Sequence, residues 1–241
     1  MRVKVVFACK EHITLSVDYN HYIQAFIYKN ISSDMADFLH NKGYCIYRRS
    51  FKLFTFSKLF GKCTFNKENK TFCFKPPVTL YISSPVDDFI ISFANHILTN
   101  TDLFLGKNRL EVQSIEFEKD KIAEEICVKT LSPIVVYSTM FETTGEKYTC
   151  YFMPGESRFH SLIKENLKKK TIAFGMEPLD GNISIEPIGK IVQKIITYKG
   201  IVIKGSEGRF RLKTNENMLN MALNSGLGSK NSQGFGCITK I

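Results

Sequence analysis

The sequence predicts an α+β protein made of two βαββαβ units in tandem, and three observations carry that expectation. Its 241 residues are 44% hydrophobic, which is globular, and at the usual ~150 residues per domain they suit one large domain or two small ones. Runs of β-branched and aromatic residues alternate with helical stripes in the order strand, helix, strand pair, helix, strand across the first half. From about Lys121 the same succession begins again, without a sequence repeat. This is the split-βαβ, ferredoxin-like (RRM-like) order, which covers one sheet face with two helices. The expected division is residues 1–120 and 121–241.

Residues 2–9 are β-branched and bounded by charge, so they read as a strand, and residues 19–31 carry Ile23, Phe26, Ile27 and Ile31 at helical spacing. Ser33 is placed to cap a second helical piece with Asp34 in its first turn and Gly43 past its end, which puts His40 in the last turn. Residues 51–57 read as a strand. A hairpin pairs 63–65 with 71–74, and 78–83 extends the sheet. Ser84, Pro85, Asp87 and Asp88 mark a helix start, because a hydroxyl can cap free N–H groups and acids favour the positive dipole end. Leu110, Val112, Ile115 and Phe117 form a strand whose alternation slips near Gln113 and Ser114, as a bulge requires.

The second half reads as a strand at 134–138, hairpin material to Met153, and a helix over 156–169 with Phe159, Leu162, Ile163 and Leu167 on its apolar stripe. Strands follow at 183–188 and 191–198, then a pair at 201–204 and 210–213 about a tip at 206–209. A helix capped by Thr214 carries Met218, Leu219 and Ala222, and residues 235–241 close the sheet.

Several function classes drop out. The longest uncharged stretches, 89–101 and 130–141, fall short of the ~18 apolar residues a membrane span needs, and the apolar run 5–9 is too short for a signal peptide. No membrane association is expected, and a cytoplasmic location is. Seven scattered cysteines form no C-x-x-C pair and five histidines show no H-x-x-x-H spacing, so neither a metal site nor a cofactor is expected.

Positive charge points to nucleic acid. The net charge is +10, and Arg48, Arg49, Lys52, Lys58 and Lys62 interleave with Tyr47, Phe51, Phe54 and Phe56, which suits single-stranded bases and their phosphates. Further basic groups are Arg158, Lys164, Lys168, Lys169 and Lys170 on one helix, and Lys199, Lys204, Arg209, Arg211 and Lys213 about a strand pair. Charge runs of this kind are usually solvated faces.

The most unusual stretch is 226–236, with Gly226, Gly228, Gly234 and Gly236 around Ser229, Lys230, Asn231 and Ser232. Exposed glycine backbone can approach phosphates. It is no Rossmann fingerprint, since a helix precedes it and too few residues follow, and no P-loop. The plain alternative is a mobile turn before the last strand.

Gly-Ser-Lys-Asn-Ser-Gln-Gly-Phe-Gly resembles the C-terminal glycine-rich loop of the CRISPR-associated repeat-processing endoribonucleases, a branch of the repeat-associated mysterious proteins with tandem ferredoxin-like domains. Residues 22–28 resemble that family's first helix, 38–40 and 52–57 its active-site segment, and 131–134 the opening of its second domain. The likeness spans residues 3–241. It implies metal-independent cleavage of CRISPR repeat RNA in the precursor transcript by 2′-hydroxyl attack. The products have 2′,3′-cyclic phosphate and 5′-hydroxyl ends and become guide crRNAs.

The resemblance places Tyr28, His40 and Lys52 at the catalytic positions. Their chemistry fits independently: the reaction needs a base, an acid and a cation for the phosphoryl oxygens. His40 at a helix end suits proton transfer, with its direction open. Tyr28, which shares a flank with His21 and Gln24, suits orientation or activation of the 2′-hydroxyl. Lys52, expected on a strand face with Phe54 and Phe56, suits the scissile phosphate. Lys58 and Arg49 are the fallback cations. RNA contact is expected from the glycine-rich loop with Arg48, Arg49 and Lys58.

Two other readings stand beside this one. One is a non-catalytic subunit of the same superfamily that binds crRNA in an effector complex. The other is a general single-strand binder of RRM type, which lacks an RNP-like motif at the right strand. The sequence leaves open the repeat sequence, and whether one copy or a homodimer forms the active unit.

Overall fold

In the computed structural model, which describes residues 1–119, 123–178 and 183–241, β1 (Arg2–Ala8) buries Val3, Val5 and Phe7 on one face. After it come β2 (Ile13–Ser16), α1 (Asn20–Lys29), α2 (Ser33–Asn41), β3 (Tyr44–Ile46), β4 (Arg49–Phe51), β5 (Thr55–Phe56) and β6 (Phe60–Asn66). The long β7 (Thr71–Ser83), α3 (Asp87–Thr99), β8 (Leu103–Leu105) and β9 (Asn108–Glu118) complete the first unit. The path β2-β7-β1-β9-β8 is extended by β5 and β6, which also pair with β7. Its centre, β9-β1-β7-β6, is the antiparallel ferredoxin-like order, and α1 and α3 meet over it through Phe7, Phe26 and Phe93.

The second unit runs β10 (Glu125–Thr130), β11 (Tyr137–Phe141), β12 (Lys147–Tyr151), α4 (Ser157–Ala173), β13 (Ser184–Tyr198), β14 (Ile201–Lys213), α5 (Glu216–Ser225) and β15 (Ile238–Lys240). Its sheet order, β13-β14-β10-β15, repeats the first, with the β11–β12 hairpin as an addition. The α+β class and ferredoxin-like order therefore stand. The division expected between residues 120 and 121 falls on 120–122, outside the described residues.

Several elements differ from expectation for identifiable reasons. Residues 51–57 are not one strand, because Leu53 turns through a left-handed conformation (φ 49°) between β4 and β5. The two strands expected around Pro76 and Pro77 are one strand, β7. The prolines, which cannot donate to a ladder, sit where the β6 register shifts. Ser84 does not cap α3; its hydroxyl donates to Leu53 O and accepts from Val86 N. Ser33 opens α2 rather than preceding it, with Ser32 as N-cap. Asn215, not Thr214, caps α5 by accepting from Met218 N.

The expected tip at 206–209 lies in mid-β14. The turn falls at Lys199 and Gly200, while Gly205 packs against Ile134 and Gly208 against Ile191. Strand 134–138 begins later, at Tyr137, although Ile134 exchanges backbone hydrogen bonds with Ser206. The bulge in β9 is present: Val6 faces Ser114 and Phe7 faces Val112, which leaves Gln113 extra.

Side chains lock the two sheets to each other. Arg2, fully buried, donates to Ser83 Oγ (3.2 Å), Thr239 Oγ1 (2.8 Å) and Ile238 O (2.6 Å). Thr55 Oγ1 donates to Phe235 O and Ser132 Oγ to Phe56 O, each at 3.0 Å. No helix is long and apolar enough to cross a membrane among the described residues.

Candidate active site and glycine-loop cleft

α2 ends because Gly43 takes a positive φ (67°) and its N–H, like that of Lys42, turns back to Phe38 O. His40 stands in that last turn, exposed, with Nδ1 3.2 Å from Asn41 Oδ1. The β3–β4 hairpin folds onto the same helix end, with Ser50 Oγ donating to Lys42 O.

Lys52 follows that hairpin, and its ammonium donates to His40 O at 3.3 Å. The strand face expected for it with Phe54 and Phe56 does not exist. The turn at Leu53 sends Leu53 into the core of the second unit and Phe54 and Phe56 into that of the first, while Lys52 stays half-buried between them. Burial lowers the Lys52 pKa.

Tyr28 lies half-buried on α1, its ring edge-on to Phe54 at 5.8 Å. Burial, with a smaller effect of Tyr198, pushes its phenol up to about 12. Thus the structure ties Lys52 directly to the turn that holds His40. Tyr28 is linked to this segment through its ring contact with Phe54, two positions beyond Lys52, and not by a bond to Lys52 or His40.

Lys52 also forms part of the wall of a cleft of about 660 Å³ between the units. Arg49 and Lys52 line it from the first unit, and Ser138, Asn166, Lys170, Ser229, Lys230 and Ser232 from the second. Arg48 and Arg49 are exposed. Lys58 is not a free cation, because its ammonium is held by both Glu207 carboxylate oxygens at 3.0 and 3.2 Å.

The glycine-rich loop differs from the open backbone expected of it. Gly226, Gly228, Gly234 and Gly236 are all buried, and each has a positive φ. A Cβ on Gly228 would collide with Val135 O, and one on Gly234 with the Phe56 ring and, at 2.7 Å, with Asn20 Nδ2. The glycines let the loop press between the units, and residues 228–233 line the cleft, with Ser229, Lys230 and Ser232 only half-buried there.

Several residues that the sequence does not connect with the loop hold it. Gln24 Nε2 donates to Ser232 O (2.7 Å) while Tyr198 Oη donates to Gln24 Oε1 (2.5 Å), and Asn20 Nδ2 donates to Gln233 O (3.0 Å). Lys230 lies over the Tyr137 ring at 5.2 Å, and burial lowers its pKa. Lys170, read above with a solvated basic face, is buried beneath the loop, and Lys169 pairs with Glu165. One signal was present: Lys170 continues the spacing of Phe159, Ile163 and Leu167. No group of three or more His, Cys, Asp or Glu is placed to hold a metal among the described residues.

Residues 14–116 match the sequence model of the family "CRISPR-associated protein Cas6, N-terminal", and residues 115–240 match that of "CRISPR associated protein Cas6, C-terminal". The chain belongs to the Cas6 family. Cas6 relatives are CRISPR-associated endoribonucleases by name. One from Methanocaldococcus jannaschii is 29% identical over 244 residues, covering 100% of this chain and 93% of its own. One from Pyrococcus furiosus is 29% identical over 231 residues, covering 92% and 83%. A solved structure described as "CRISPR associated protein Cas6" superposes with a TM-score of 0.81 at 27% identity, over 100% of this chain and 99% of that one. A Cas6-related structure from P. furiosus gives 0.85 at 24% identity, over 100% and 98%, and shares the fold. The fold and the family of RNA endonucleases thus agree with the expectation drawn from the residues.

Proposed function

We propose that this Cas6-family chain cleaves CRISPR repeat RNA in a precursor transcript without a metal, at the end of α2, and that the cleft carries the RNA backbone. The observation that carries the reading is the 3.3 Å bond from the Lys52 ammonium to the carbonyl of His40. It ties the Lys52 ammonium to the backbone of the turn that carries His40, and Lys52 itself lines a cleft that Lys230 also lines. The active site belongs to the N-terminal unit and the glycine-rich loop to the C-terminal unit.

In the proposed reaction the 2′-oxygen attacks the adjacent phosphorus, forming the P–O2′ bond of a cyclic phosphate and breaking the P–O5′ bond. His40 takes the 2′ proton. Lys52, whose pKa burial lowers, offsets charge on the phosphoryl oxygens and gives the leaving 5′-oxygen its proton. Tyr28 with a phenol held near 12 is neutral, so it acts as a hydrogen-bond donor rather than a base. RNA contact comes from Ser229, Lys230, Ser232, Arg48 and Arg49, and the positive φ of the buried glycines and the hydrogen bonds of Asn231 set the shape of the loop.

The purified protein in EDTA is expected to cut a repeat RNA once per repeat, and His40→Ala to slow the single-turnover rate by about 10² to 10⁴-fold with RNA affinity retained. Binding without cutting by the wild type, or an unchanged rate in the variant, would leave a non-catalytic crRNA-binding subunit as the function.

A further inference from the structure

α4 carries a lysine that is almost entirely buried at the wall of the cleft between the units. Lys170 is 2% exposed, on the stripe with Phe159, Ile163 and Leu167 that packs into the core of the second unit. Its ammonium donates to Gly226 O (2.7 Å), Asn231 Oδ1 (2.7 Å) and Ser225 O (3.5 Å). An ammonium has three protons and here meets three acceptors, all of them neutral.

Burying that charge is costly, and a methionine on the same stripe would pack without the cost. The compensation lies in where the acceptors are. Ser225 ends α5 and Gly226 caps it, so two of the oxygens belong to a helix terminus whose last carbonyls lack helical partners and favour a cation. The third belongs to Asn231, whose Nδ2 donates to Leu227 O (3.1 Å) and Phe235 O (3.0 Å). One ammonium and one amide therefore tie the start, middle and end of the glycine-rich loop together. Burial draws the Lys170 pKa down to about 7.

We propose that Lys170, acting through Asn231, is a positioning residue for RNA binding: its buried ammonium clamps the glycine-rich loop in the shape that presents Ser229, Lys230 and Ser232 to the RNA. The proposal rests on the reading of that loop as an RNA contact. Without the clamp the loop occupies that shape only part of the time, and affinity falls by the fraction lost. The cost belongs to binding, because neither His40 nor Lys52 touches Lys170 through any bond of the clamp.

The test uses a repeat RNA with a 2′-deoxy sugar at the cut nucleotide for affinity, and the cleavable RNA at saturation for rate. It compares wild type, Lys170→Met and Lys230→Ala. Both variants are expected to raise Kd by about tenfold, Lys170→Met as for a loop competent a tenth of the time and Lys230→Ala by loss of a cationic contact. Lys170→Met is expected to keep the saturated rate within about threefold and to lose amide-exchange protection at residues 228–234 while β1 and β14 keep theirs. Wild-type affinity in Lys170→Met with weakened Lys230→Ala overturns the clamp, and wild-type affinity in both overturns the loop reading instead. Loss of protection throughout the second unit together with a fallen rate makes Lys170 a core residue only and also overturns it. If Lys170→Met does not fold, Asn231→Ala, which leaves the ammonium two acceptors, carries the same affinity and exchange readouts.

Discussion

Tyr28 and Lys52 take their chemical character from burial in opposite directions. The phenol is pushed up to about 12 and the ammonium pulled down, because each loses water that would stabilise its charged form. A phenol whose folded pKa lies above its ordinary value of 10 is neutral through the physiological range. Its effect on the fold is silent below pH 10, and stability is lost as pH rises from 10 toward 12. Single-turnover cleavage is therefore expected to show no rising limb from phenolate formation up to about pH 10. Tyr28→Phe should slow it about 10 to 100-fold at every pH, as loss of a donor does. A rate that climbs tenfold per pH unit above 8 and flattens in Tyr28→Phe would instead make the phenolate the base. His40 was legible in the sequence because helix-end signals are local, with Gly43 as the stop. The Lys52 tether was not, since it depends on a left-handed turn at Leu53 that no residue preference announces. Lys170 was misread in the opposite sense: charge suggested a solvated face while its spacing placed it on the buried stripe.

At the scale of elements, the strand and helix order was readable because each element has a periodicity of its own, and even the extra Gln113 in β9 left a trace in the alternation. Glycines misled where they serve close packing instead of turning. Gly208 suggested a hairpin tip but sits in mid-strand against Ile191, and the loop glycines suggested open backbone but are buried. What lies opposite a glycine is a long-range fact, invisible to local sequence. The distinction is measurable. Gly228→Ala adds a methyl at φ 70° against Val135 O, whereas Gly145→Ala adds one at φ 86° with nothing within 4 Å. Gly145→Ala carries only the left-handed penalty of about 1 to 2 kcal/mol. Gly228→Ala adds the collision, for about 2 to 4 kcal/mol in all, which lowers Tm by about 5 to 10 °C for a chain of this size. Equal shifts in calorimetry would mean the loop does not pack against Val135 as described.

For the whole molecule, the two units are held in one arrangement by buried polar contacts that no single element encodes. Arg2 reaches from β1 to β15, Thr55 and Ser132 bond across the junction, and Lys58 is spent on Glu207 of β14. That junction gives the cleft its shape, with a wall from each unit. The net charge of +10 makes encounter with RNA favourable, but charge by itself specifies neither a cut nor its position. In the proposed reaction cutting depends on the few groups at the end of α2, and the central claim is that the RNA supplies its own nucleophile there. The measurement that tests it most directly is single-turnover cleavage in EDTA of a repeat RNA carrying one 2′-deoxy sugar 5′ of the cut, beside the all-ribose RNA. The account predicts a 2′,3′-cyclic phosphate and a 5′-hydroxyl from the ribose substrate, and an uncut deoxy substrate bound with unchanged affinity. Full-rate cleavage of the deoxy RNA would contradict it.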